Sequence, residues 1–258
     1  MVSNLSSIGF HFADDASFQA TIERLASEAT KRLACPAGDY AIWRSRTGAE
    51  LWFHIAATAP GSEERDIIGF TPFFEGRSEV ALKLTEHCTR PQDNAFEGAW
   101  MAWVAPDDTG EGAYPVLFDA VDSGATFSVE VPKIATARIA GFARELGVFQ
   151  SEAEHASSHG ADRPALAPRA FIPMGLFAAA ESDSTTTTQP SSTAILTGRV
   201  REHALMKNEA TGQSFHWLLV DSLDATYDIV ADPALVACEI TAGVIVEVAC
   251  WLVGRITD

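Results

Sequence analysis

Basic side chains are scarce in this sequence. Its 258 residues carry 18 Lys and Arg against 35 Asp and Glu, a formal net charge of −17 with a pI near 4.7. A surface this acidic repels phosphate backbones. That disfavours nonspecific contact with nucleic acid or an anionic membrane and leaves cationic or neutral partners. Long apolar runs are missing as well: none approaches the roughly 18 residues that a membrane-spanning helix needs. The opening segment MVSNLSSIGF has neither a basic n-region nor an apolar h-region, which predicts no signal peptide. Cysteine is sparse and scattered, at Cys35, Cys88, Cys238 and Cys250, with no CxxC pair. Without a secretory signal the expectation is reduced thiols in the cytoplasm, and the compartment argues against the Cys238–Cys250 bridge that spacing allows. There is no Gly-x-Ser-x-Gly elbow, no phosphate-binding Gly-rich loop and no HExxH pair.

What is present is enough apolar material for a sizeable core, 47% of residues. IGFHF at 8–12 reads as a short strand. Asp14 or Asp15 then caps a helix, ASFQATIERLASEATKRL, whose Phe18, Ile22, Leu25, Ala29 and Leu33 form one apolar stripe. Lys31 and Arg32 fall in its last turn and Pro36 ends it. DYAIWRS and ELWFHIAA flank a hairpin turn at 46–49, and DIIGFTPFFEG carries Pro72, which points to an edge strand or a bulge. SEVALKLTEH alternates like a half-buried strand, and EGAWMAWVAP, YPVLFDAVD and TFSVEVP are three further strands. A second helix is expected at about 133–147, with Ile134, Ala137, Phe142 and Leu146 facing inward. Residues 150–169 read as a loop, and the low-complexity stretch ESDSTTTTQPSS at 181–192 as a flexible linker.

After the linker, ILTGRVREHALM is a long strand bent at Gly198. A turn at 208–212, strands SFHWLLVDS and TYDIVAD, a helical turn or two at 233–240 and the closing run VIVEVACWLVGRI follow. A bent first strand, a meander, a helix and a return resemble a small OB-type barrel over residues 193–256. Element order over residues 8–85, strand–helix–strand–strand–strand, is similar to the module of vicinal-oxygen-chelate proteins. The second half of the first body, with strands first and a helix last, does not repeat that module. The fold expectation is therefore α+β: a mostly antiparallel domain with two helices over 1–180, a linker at 181–192, and an OB-like barrel over 193–258.

The barrel resemblance implies a binding surface. Phe215 and Trp217 project to one side of a strand, and Tyr227 and Trp251 are placed to join them, either as a ligand platform or as barrel filling. Residues 193–258 hold four Lys/Arg against nine Asp/Glu, a net of −5, which argues against oligonucleotides. The first reading is thus a non-enzymatic binding or interaction protein, without a cofactor, whose acidic faces meet a basic protein or peptide. The alternative follows from the vicinal-oxygen-chelate resemblance: a metal-dependent enzyme holding Zn or Fe on His11, His54 and Glu75, with an open position for substrate. Single-stranded nucleic-acid binding through the barrel comes third. His155 and His159 have i,i+4 spacing but lie in the loop-like segment. His87 and Cys88, adjacent on a strand, face opposite ways and cannot pair as base and nucleophile. Asp221, Asp224, Asp228 and Asp232 lack the EF-hand order and read as turn and strand-end residues.

Overall fold

The computed structural model describes residues 2–59, 62–158, 166–174, 176 and 190–257. The linker stretch 181–189 and His159 lie outside the described residues.

Asp14 opens helix α1 (Asp15–Glu28) with a reciprocal cap: its carboxylate accepts from the Ser17 amide, and the Ser17 hydroxyl accepts from the Asp14 amide. Ile22, Leu25 and Ala26 turn the helix onto the core. The helix stops earlier than its apolar stripe suggests. Lys31 and Arg32 belong to β1 (Lys31–Cys35), which pairs back on β2 (Gly38–Arg44). Strands β3 (Ala49–Ala57) and β4 (Arg65–Phe74) complete an antiparallel sheet in the order β1-β2-β3-β4. Pro72 sits on β4, an edge strand, where a missing N–H costs no ladder bond. Residues 9–12 form no strand; a 3-10 turn (Ser6–Ile8) precedes them.

The second sheet has nine strands: β5 (Val80–Cys88), β6 (Ala99–Val104), β7 (Tyr114–Ala120), β8 (Lys133–Phe149), β9 (Ala170–Met174), β10 (Thr193–Lys207), β11 (Ser214–Asp221), β12 (Thr226–Ala231) and β13 (Ile245–Ile256). Its pairings run in two closed circuits of five strands. One is β10–β11–β12–β8–β13 and the other is β8–β5–β6–β7–β13, so the two share the β8–β13 pair. The helix expected at 133–147 is thus a correction, because it is strand β8. Its Ala, Arg, Glu and Leu favour a helix locally, but pairing with β5, β12 and β13 overrides that preference. Along the shared pair Ile245 stands opposite Phe149 and Ile256 opposite Ala137. Strands from both sides of the Ser/Thr-rich stretch therefore share one sheet.

The run 126–132 forms no strand; its first residue ends a short helix α2 (Ser123–Thr126). Residues 152–158, expected as loop, form helix α3 (Glu152–Ser158), whose buried His155 lies 3.3 Å from Glu247. The four cysteines are free. No helix among the described residues is long and apolar enough to cross a membrane.

Two cores result. One lies within the nine-stranded sheet, around Leu82, Trp100, Phe118, Tyr227, Ile229 and Val248. The other lies between that sheet and the β1–β4 sheet with α1, where Phe142, Phe215, Trp217 and Val253 meet Tyr40, Trp52, Phe53 and Phe73. β12 is buried on both faces for this reason, with Tyr227, Ile229 and Ala231 in the first core and Val230 in the second. A buried carboxylate ties the layers: Asp228 accepts from the Arg77 amide (2.8 Å), the Ser78 amide (2.7 Å) and Trp217 Nε1 (2.7 Å). Gly76 makes this approach possible, since any Cβ there would collide with the Asp228 carboxylate.

Candidate functional site

The four aromatics of residues 193–256 divide by position. Phe215 and Tyr227 are fully buried: Phe215 packs edge-on against Phe74, and the Tyr227 hydroxyl meets that of Tyr114 at 2.8 Å. Trp217 is also buried, with its indole N–H on Asp228 and the Arg77 guanidinium 4.9 Å above its ring. Trp251 alone of the four is half-buried.

Trp251 stands on β13 beside Asp119 of β7, and its Nε1 donates to Asp119 Oδ2 at 2.7 Å. Asp119 Oδ1 accepts from Arg90 Nη2 (2.6 Å) and from the Ser192 hydroxyl (2.5 Å). Arg90 further donates from Nη2 to Ser192 Oγ (2.8 Å) and from Nε to the Pro190 carbonyl (3.0 Å). One carboxylate thereby joins β7, β13, the loop after β5 and the chain entering β10. That loop, residues 89–98, is rich in turn-forming residues and folds on itself: Asp93 accepts from the Arg90 amide (2.7 Å) and Glu97 from the Asn94 amide (3.0 Å). A cavity of about 280 Å³ opens between this loop, Phe70–Pro72 of β4 and Trp251.

Three carboxylates, Asp93, Glu97 and Asp119, line the cavity against one guanidinium, Arg90. Burial pushes the Glu97 carboxyl up. The Asn94 amide offsets this in part, and Asp93 and Asp119 push the same way as burial. The site therefore carries negative charge that its own cation leaves uncompensated. An adjoining cavity of about 320 Å³ beyond Trp251 is bounded by Arg144, the extra residue of a bulge where β8 slips against Ala249 and Cys250.

His11, His54 and Glu75 have separate surroundings. His11 Nε2 lies 3.8 Å from Asp232, which caps the 3-10 turn Pro233–Leu235. His54 is buried, stacked on Phe96 at 5.1 Å, and burial pushes it down to about 4. Asn94 Nδ2 can only donate, so His54 Nδ1 accepts (3.2 Å) and Nε2 keeps the proton toward Thr71 Oγ1 (3.3 Å). Glu75 is bound by Arg138 and Arg255, with Arg44 at 3.5 Å. Ala49 faces Phe74 across β3 and β4, so His54 stands roughly 20 Å along the strand from the level of Glu75. Among the described residues no three His, Cys, Asp or Glu side chains are grouped to hold a metal ion. The four aspartates of 221–232 have separate tasks: Asp221 pairs with Arg169 and Arg201, Asp224 occupies a positive-φ turn (φ 46°), Asp228 ties the layers and Asp232 caps.

Sequence reasoning singled out Trp251 but not Asp119, Arg90, Asp93 or Glu97. The one local signal was a carboxylate inside the apolar strand YPVLFDAVD. No protein-family model, curated protein or solved structure matches the chain.

Proposed function

We propose that the protein is a binding protein whose Trp251 cavity receives a cationic side chain, lysine or arginine, from a partner protein or peptide. The observation that carries this reading is the excess of carboxylates in the cavity beside a half-buried indole: Asp93, Glu97 and Asp119 against Arg90, with Arg144 in the adjoining cavity. An indole face with carboxylates beside it attracts a cation through both the ring quadrupole and charge. The acidic balance of the whole chain, −17, draws a basic partner and slows an acidic one. The same balance weighs against single-stranded nucleic acid. The long β10 with its register slip between Val200 and Glu202, the β11–β12 meander, the 3-10 turn and the long β13 support an OB-like reading of residues 193–256, with β8 supplying the strand that closes the circuit. The separate surroundings of His11, His54 and Glu75 offer the metal-dependent alternative no support.

The test is a titration of the full chain with short Lys- or Arg-rich peptides, followed by tryptophan fluorescence at two salt concentrations. The expected result is saturable binding that weakens with salt and falls about tenfold or more in Trp251→Ala, the loss of one ring contact and its shielding of the charges. Equal binding of neutral and basic peptides, or an unchanged affinity in Trp251→Ala, would contradict the reading.

A further inference from the structure

A second cavity, of about 420 Å³, lies on the other side of Glu97. His87 of β5 and Ser123 of α2 both line it, and their Nε2 and Oγ atoms are 2.8 Å apart. We infer that Ser123 and His87 form a nucleophile–base pair that cleaves esters of small apolar acyl groups. This goes beyond the peptide-binding reading and does not depend on it.

The pair is built rather than incidental. The residue behind it is Gly98, the last of the loop before β6, where any Cβ would collide with Ser123 Oγ and stand 3.0 Å from the imidazole. Trp100 holds the ring edge-on, with centroids 4.8 Å apart. Burial lowers the His87 pKa against the opposing charge of Asp93, so the ring is neutral at neutral pH and Nε2 can accept the hydroxyl proton. Apolar side chains of Pro36, Ala37 and Phe127 bound the cavity and suit a short acyl chain. Thr89 and Asn94 also line this cavity and carry donors suited to the carbonyl oxygen; the Asn94 amide is oriented by its Oδ1, which accepts from the Phe96 amide (2.8 Å).

The chemistry balances with water as the only co-reactant. Ser123 Oγ bonds to the ester carbonyl carbon as its proton passes to His87 Nε2. The tetrahedral adduct collapses, the C–O bond to the alcohol breaks, and the departing oxygen takes the proton from His87. Water then attacks the acyl-Ser123 ester, giving its proton to His87. Collapse releases the carboxylic acid, and the proton returns to Ser123.

The test treats the full chain with an alkyl fluorophosphonate, which loses fluoride as it phosphonylates an activated serine, and reads intact mass followed by peptide mapping. One adduct per chain, on Ser123, is expected. Labelling in His87→Gln should fall about 100-fold or more, the usual worth of a positioned base. p-Nitrophenyl butyrate should be hydrolysed faster by the native chain than by Ser123→Ala. No adduct on the folded native chain, or an adduct on another residue, overturns the inference even if a variant fails to fold. Ester hydrolysis that persists in a folded Ser123→Ala variant overturns it as well.

Discussion

Asp228→Ala is expected to lower the unfolding free energy by about 4 kcal/mol, as stranding the buried Ser78 and Trp217 donors costs about 1–3 kcal/mol each and the half-buried Arg77 amide adds less. The Arg77 and Ser78 amides and the Trp217 indole have this carboxylate as their shared acceptor. They belong to different layers. The amides lie between β4 and β5, and Trp217 lies on β11. Removing the acceptor therefore loosens the joint between the two sheets rather than one element. The Asp228→Asn variant keeps one oxygen but turns an NH₂ toward a donor, so an intermediate loss is expected. Urea unfolding checks both, and near-UV circular dichroism reports whether Trp217 keeps its setting. A loss below about 1 kcal/mol for the alanine variant would show that the layers hold together without this bond.

The second large effect concerns residues 190–258 expressed alone. Their composition suggests a self-sufficient module, but β8 is missing from them. In the full chain β8 pairs with β12 in parallel, from Asp228 opposite Ala140 to Val230 opposite Phe142, and with β13 along its whole length. Without it, both strands keep an open edge, and Val230 and Val253 lose the Phe142 side of their core. The fragment is expected to show no cooperative thermal transition and no near-UV tryptophan signal. A sharp transition with native-like spectra would contradict the assignment of β8 as the closing strand. This experiment does not involve ligand, so it stands apart from the binding proposal.

Legibility in the sequence followed how local each feature is. The cap of α1 was readable as Asp14 or Asp15, of which Asp14 holds it, and the hairpin of β2 and β3 at its turn. Pro72 pointed to the sheet edge where β4 lies. In residues 193–256 the long first strand, the meander, a helical turn and the closing strand were each readable from short-range signals, while the irregularity of β10 lies between Val200 and Glu202 rather than at Gly198. β8 was not readable. Its inward residues alternate only over Ala135, Ala137 and Ile139; from there to Ala143 every residue is buried, because both faces are covered, and period two disappears. Ile134, Ala137, Phe142 and Leu146 then mimic a helical stripe. The candidate site is less local still. Arg90 and Trp251 reach Asp119 from 29 and 132 residues away, and Ser192 from 73. No spacing rule connects them. His87 and Ser123, 36 apart, were missed for the same reason, while the adjacent His87 and Cys88 drew the comparison.

The cation proposed to dock on the carboxylates beside Trp251 is tested most directly by the proton balance of binding. Glu97 holds its proton to higher pH than an ordinary carboxyl because it is buried and faces Asp93 and Asp119. A bound ammonium or guanidinium favours the charged carboxylate, so binding in mildly acid buffer must release protons, and affinity must rise with pH through that range. Calorimetric titration with a basic peptide, repeated in buffers of different ionisation enthalpy, counts those protons. The prediction is a net release that disappears in Glu97→Gln. Binding without proton release, or the same release in Glu97→Gln, would contradict it.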